Sequence, residues 1–103
     1  MFLLEWSDAI NTDLEQIHKY YRDEVADGEE VGLEVLRRIY LATRQLERLP
    51  FTGRPGRISG TKELVVKDTP YIVYYAVTGN IVNLLRVIHS ARLLQIAFYE
   101  VLS

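Results

Sequence analysis

The chain contains no cysteine. That excludes disulfides, thiolate zinc sites and a cysteine nucleophile, and it fits a reducing compartment. No apolar run approaches the roughly 20 residues that a membrane-spanning helix needs. The longest, residues 81–88, is interrupted by Asn83 and Arg86. The start has neither the basic opening nor the apolar stretch of a secretory signal. A soluble, cytoplasmic protein with no membrane contact is expected. No internal repeat or linker is visible. Neither a Walker loop nor a dinucleotide glycine fingerprint is present, and the glycines at 53, 56 and 60 do not precede a helix. The two histidines, His18 and His89, lack metal-ligand spacing, so no metal and no cofactor are expected.

What is present fits one globular domain over residues 1–103. Hydrophobic residues make up 49% and charged residues 25%, the balance of a chain that can bury a core. The net charge of -2 hides an asymmetry. Residues 1–36 carry net -8, residues 37–67 net +6, and the remainder balances. A block this basic on a mildly acidic chain points to an acidic or polyanionic partner. A solvated helix face followed by a basic loop would explain the same charges.

Hydrophobic periodicity gives the order of elements. Phe2, Leu4 and Trp6 alternate with Leu3 and Glu5, a short strand with one apolar face. Ser7 reads as an N-cap, with Asp8 in the first turn. Ile10, Leu14, Ile17 and Tyr21 make the apolar stripe of a helix over about 8–25. Asp27-Gly28 breaks it, and Asp27 with Glu30 reads as the capping box of a second helix. Val35, Ile39, Ala42, Leu46 and Leu49 form the stripe of that helix, and Pro50 ends it. Residues 52–60 read as a loop. Three strands follow, at 61–67, 71–77 and 81–89. Gly79-Asn80 joins the last two as a hairpin, and the final strand reads as central. A short helix from about Arg92 to Leu102 closes the chain. The fold class is α+β: an N-terminal strand, then a helical hairpin packed on a small, twisted, largely antiparallel sheet. The order is β-α-α-β-β-β with a short C-terminal α.

Candidate functional residues lie in the second half. Arg54, Arg57 and Lys62 form the densest cationic patch, able to neutralise phosphates or acidic side chains. Arg86, His89 and Arg92 sit at the end of the last strand. Period-two alternation sends Arg86 and His89 to opposite faces unless a bulge intervenes. Histidine suits proton transfer near neutral pH and arginine suits phosphate, a pairing that would serve RNA cleavage. A hydrogen-bonded strand-end histidine, with arginines pairing to Glu63 or Glu100, is the plainer reading. Tyr71, Tyr74 and Tyr75 share one strand, with Tyr74 projecting opposite to the other two; core packing is their commoner role.

Four segments together carry a resemblance. They are Gly53-Arg54-Pro55-Gly56-Arg57, Gly60 to Val66, Pro70-Tyr71-Ile72-Val73-Tyr74-Tyr75, and Leu85-Arg86-Val87-Ile88-His89-Ser90-Ala91-Arg92. In this order, and with the Trp6-containing start and helical hairpin, the chain resembles the RelE/ParE toxin superfamily over nearly its whole length. The resemblance implies the toxin of a type II toxin–antitoxin module, bound in a hetero-oligomer by a cognate antitoxin. RelE-like members cleave mRNA on the ribosome; ParE-like members inhibit DNA gyrase.

The RelE-like pattern places an arginine where this chain has Ile72. It uses basic side chains on the preceding strand, where only Lys62 and Lys67 occur. It keeps an arginine after the last strand, which Arg92 matches, and commonly a tyrosine six residues later, where Phe98 stands and Tyr99 follows. The Gly-Arg-Pro-Gly-Arg loop and the strand end look closer to ParE-like sequences, although Leu93-Leu94 replaces the Trp-Pro that often follows there. The resemblance therefore implies a ParE-like toxin acting by contact with gyrase. Arg54, Arg57, Lys62, Arg86 and Arg92 would face the target, and Leu93, Leu94 and Phe98 the antitoxin. The alternative is a ribosome-dependent endoribonuclease acting on mRNA, with His89 as acid or base and Arg92 on the phosphate. A third reading is an inactive toxin fold that only binds antitoxin.

Overall fold

The computed structural model describes residues 1–92. The expected C-terminal helix therefore lies mostly outside the described residues, of which Ser90–Arg92 are helical. The elements are β1 (Leu3–Trp6), α1 (Asp8–Glu24), α2 (Gly28–Gln45), β2 (Arg54–Pro55), β3 (Lys62–Val65), β4 (Tyr71–Thr78) and β5 (Ile81–His89). The strands form one sheet in the order β1-β5-β4-β3-β2. β1 runs parallel to β5 and every other pair is antiparallel. The expected α+β architecture, with a central last strand, is what the chain adopts.

The two helices cover one face of the sheet. Ile10 and Ile17 from α1, and Val35 and Ile39 from α2, meet Val73, Tyr75, Val82, Leu84 and Val87 in the main core. Ser7 caps α1 as expected, its hydroxyl accepting from the Ile10 N–H at 3.0 Å. The start of α2 departs from expectation. Asp27 adopts a left-handed conformation (φ 56°) and its side chain makes no capping bond, so no capping box forms. The three-residue connection is too tight for one. A side chain on Gly28 would collide with the Tyr21 carbonyl, so glycine lets the second helix start directly against the first. The far end of α2 also differs. The helix stops at Gln45, and Leu49, assigned by periodicity to its apolar stripe, is exposed. Tight backbone bonds from the Leu46, Glu47 and Arg48 N–H groups to the Thr43, Arg44 and Gln45 carbonyls end the helix before Pro50 is reached.

On the opposite face, Ile72, Tyr74 and Ile88 form a second, smaller apolar cluster. Gly79 has φ +60° in the two-residue β4–β5 turn, as a primed hairpin turn with glycine first requires. A bulge interrupts β4–β5 pairing. Tyr74 is opposite Arg86 and Tyr75 is opposite Leu84, leaving Leu85 extra. Residues 52–60, expected to be loop throughout, contain the two-residue β2, which pairs Arg54 with Glu63 and Pro55 with Lys62. Among the described residues, no helix is long and apolar enough to cross a membrane.

Candidate functional site

The glycine-rich segment is tied to the sheet edge from both faces. Tyr74 and Tyr75 are neighbours in β4 and point to opposite sides, as alternation predicts. The Tyr75 hydroxyl accepts from the Gly53 N–H on the helix side, and the Tyr74 hydroxyl accepts from the Arg57 N–H on the other, each at 2.9 Å. Both rings are thus structural anchors, consistent with the core role. Burial pushes the Tyr75 hydroxyl above the ordinary tyrosine value, against the Gly53 bond that lowers it.

Glu63 organises the arginines. Its side chain is only 3% exposed. Arg54 reaches it through Nε and Nη2, each 3.0 Å from Oε1, and Arg57 Nε stands 3.8 Å from Oε2. Two guanidinium groups around one carboxylate leave a net positive charge, held in place and partly open to solvent. Lys62 does not join them. Its register places it on the helix side, where its ammonium lies 5.9 Å from the Phe51 ring centroid. The structure therefore brings Arg54 and Arg57 together and separates Lys62 from both.

Arg86 has a different task. β1 pairs with Ile81–Leu84, and among the described residues no strand covers the rest of that β5 edge. Three groups at the start of α1 close it. The Ser7 N–H donates to the Leu84 carbonyl (3.1 Å) and the Ser7 hydroxyl to the Leu85 carbonyl (2.8 Å). Asp13 Oδ2 accepts from the Val87 N–H at 2.9 Å. Asp13 is buried, and Arg86 pairs with it bidentately at 2.7 and 3.0 Å. This bond to Asp13 raises the Arg86 guanidinium above its ordinary value. Arg86 is committed to the fold.

His89 and Arg92 do converge. A cleft of about 150 Å³ is lined by both, together with Asp13, Gln16, Tyr20, Tyr71 and other residues of α1 and β5. A neighbouring cleft of about 330 Å³ shares Tyr20, Tyr71 and His89 and adds Tyr21 and Val25. The His89 ring packs edge-on against Tyr71, with centroids 5.5 Å apart, and its Nδ1 accepts from the Ala91 N–H at 3.1 Å. That bond assigns the neutral ring proton to Nε2. Burial pushes the Tyr71 hydroxyl well above the ordinary tyrosine value, with smaller contributions from Tyr21 and Tyr20. Ile72 lies on the other face, packed with Tyr74 and Ile88. Neither Lys62 nor Lys67 lines either cleft. No group of three His, Asp or Glu residues suited to a metal occurs among the described residues. Leu93, Leu94 and Phe98 lie outside the described residues.

Two contributors escaped the reading of the sequence, and another was read with different partners. Asp13 carried a signal: it falls between Ile10 and Ile17 at helical spacing, a carboxylate on an apolar stripe. Glu63, named from the sequence as a partner for the arginines at the end of the last strand, instead holds Arg54 and Arg57. The other that escaped, the Tyr20–Tyr21 wall of the cleft, brings a solvent-side residue of α1 beside one from its apolar stripe, with ring centroids 5.3 Å apart.

The family model for the ParE toxin of the type II toxin–antitoxin system parDE matches residues 4–94. A curated relative from Sinorhizobium fredii, named "Putative toxin Y4kP", is 34% identical over 87 residues, covering 84% of this chain and 86% of its own. Among solved structures, a chain of the chromosomal ParDE system from P. aeruginosa superposes with a TM-score of 0.78 at 24% identity, covering 86% of this chain and 96% of its own. A copper-bound mutant toxin from Helicobacter pylori gives 0.52 at 21% identity, over 90% and 99%. Both likenesses concern the fold alone. With a family match over residues 4–94 and a relative above 30% identity along most of its length, this chain belongs to the ParE toxin family of type II toxin–antitoxin systems.

Proposed function

We propose that this toxin acts in the cytoplasm by binding DNA gyrase as a protein–protein contact, and that a cognate antitoxin neutralises it. One observation carries the choice of contact over RNA cleavage. Arg92 is the single cation among the described residues lining the clefts around His89. A phosphoryl-transfer site needs several groups aimed at the charge that develops, and loss of one such group typically costs about 100- to 1,000-fold in rate. The Arg54–Arg57 pair, by contrast, faces solvent and is gathered at Glu63, as suits a surface that meets acidic side chains. Antitoxin-free protein added to gyrase and plasmid should abolish supercoiling or trap cleaved DNA. Full supercoiling with folded protein that still arrests growth would overturn the reading.

A second reading has its own support, since His89 and Arg92 do share a cleft. Ribosome-dependent mRNA cleavage would then require His89 as acid or base. If His89→Ala keeps full toxicity, or mRNA on ribosomes stays intact in excess toxin, that reading fails.

A further inference from the structure

The early end of α2 leaves an unusual surface. Leu49 and Phe51 are 59% and 63% exposed, on either side of the buried Pro50. Phe51 is not loose. Phe2 supports it edge-on, with ring centroids 6.1 Å apart, and the Phe2 N–H donates to the Glu47 carbonyl at 2.9 Å, which ties β1 to the end of α2. Two residues on, Gly53 is fixed by the Tyr75 hydroxyl. The Lys62 ammonium overlies the Phe51 ring and Arg48 adjoins Leu49. Among the described residues, neither cation has a carboxylate partner within 4.0 Å. Arg37, Arg38, Arg44, Arg54, Arg57 and Arg86 all do.

An exposed, supported aromatic ring under one cation, two residues along the chain from an exposed leucine and the cation next to it, has the make-up of a binding anchor. We propose that Arg48, Leu49, Phe51 and Lys62 form a docking surface for an acidic segment of the antitoxin that carries apolar side chains. This rests on the pairing with an antitoxin stated above. Charge complementarity selects the occupant: the surface lies within the block of net +6 on an otherwise acidic chain. The location separates this role from target binding. Lys62 and Phe51 sit on the helix side of the sheet edge, whereas Arg54 and Arg57 gather at Glu63 on the other face. A segment bound here holds the toxin without displacing that pair from Glu63.

The test uses the full chain and its cognate antitoxin, with affinity measured by biolayer interferometry and toxicity by growth arrest. Phe51→Ala and Arg48→Glu should each weaken antitoxin binding at least tenfold. Each should still arrest growth when the antitoxin is absent, and should arrest it even when wild-type levels of antitoxin are present. Circular dichroism identifies any variant that fails to fold, and the exposed Arg48 position keeps the test open if Phe51→Ala does. Unchanged antitoxin affinity in both variants overturns the proposal. Lost growth arrest with antitoxin affinity retained also overturns it, and assigns the surface to the target. A wild-type chain that does not bind the antitoxin overturns the pairing itself, which is seen before any variant is compared.

Discussion

The two ends of the sheet each hold a buried carboxylate facing arginine, and they use it differently. At the β5 edge, Asp13 accepts one backbone N–H and a bidentate guanidinium from a neighbouring strand. At the β3 edge, Glu63 gathers two guanidinium groups from a surface loop and accepts no described backbone bond. The first cluster closes a gap in the fold. The second presents charge. The lesson is that a buried acid does not mark a functional site by itself; Asp13 also satisfies the buried Val87 N–H, whereas Glu63 holds side chains alone.

Removing each carboxylate tests that contrast most directly. Asp13→Ala orphans the buried Val87 N–H and takes the carboxylate from the partly exposed Arg86, so we expect a loss of about 2–4 kcal/mol in urea unfolding. Glu63→Ala frees two arginines that can hydrate, so about 1–3 kcal/mol is expected. Its clearer signature should be faster proteolysis between residues 54 and 60. If the two variants lose equal stability, the distinction between closing and presenting charge collapses.

Alkaline pH sharpens the comparison. Tyr71, beside the Asp13 end, has a folded-state pKa raised above the ordinary 10.0, chiefly by burial. The folded chain therefore keeps a proton that the unfolded chain releases. Stability from this group is fully present below pH 10 and falls as pH rises beyond it. Tyr75, at the Glu63 end, shifts the same way with an opposing bond from Gly53. Tyr71→Phe should flatten the alkaline unfolding limb more than Tyr75→Phe does, as followed by fluorescence between pH 8 and 12. An unchanged limb in Tyr71→Phe would show that its burial does not control alkaline stability.

Legibility in the sequence followed the same division. Strands and helices were readable because each buries one face, and Ile10, Ile17, Val35 and Ile39 announce theirs by spacing. The ends of α2 were not. Its start depends on the approach of Gly28 to the Tyr21 carbonyl, and its stop on local turn bonds, neither of which has a periodic signature. Of the candidate site, His89 and Arg92 share a cleft, as their closeness at the end of the last strand suggests. The pairing of Arg86 was not readable, because its partner Asp13 is 73 residues away in the chain. The cationic patch divides, because a two-residue strand decides which face each residue takes, and Lys62 falls on the face that Arg54 and Arg57 avoid.

The smallest predicted effect on stability bears most on function. Tyr74→Phe removes the acceptor for the Arg57 N–H and leaves the ring in its apolar cluster with Ile72 and Ile88. The orphaned N–H belongs to a surface residue and can turn to water, so the loss should be about 1 kcal/mol. The bond does more than its energy indicates, because it is one of the few contacts fixing where Arg57 stands relative to Glu63. Releasing it lets the arginine sample other positions, and the target must then meet the cost of ordering it again. If gyrase is the target as proposed, its inhibition should therefore weaken further than the change in unfolding midpoint implies, while His89→Ala leaves inhibition intact. Equal and small effects of Tyr74→Phe on both measurements would mean that the ordering of the loop is a property of the fold and has no share in target binding.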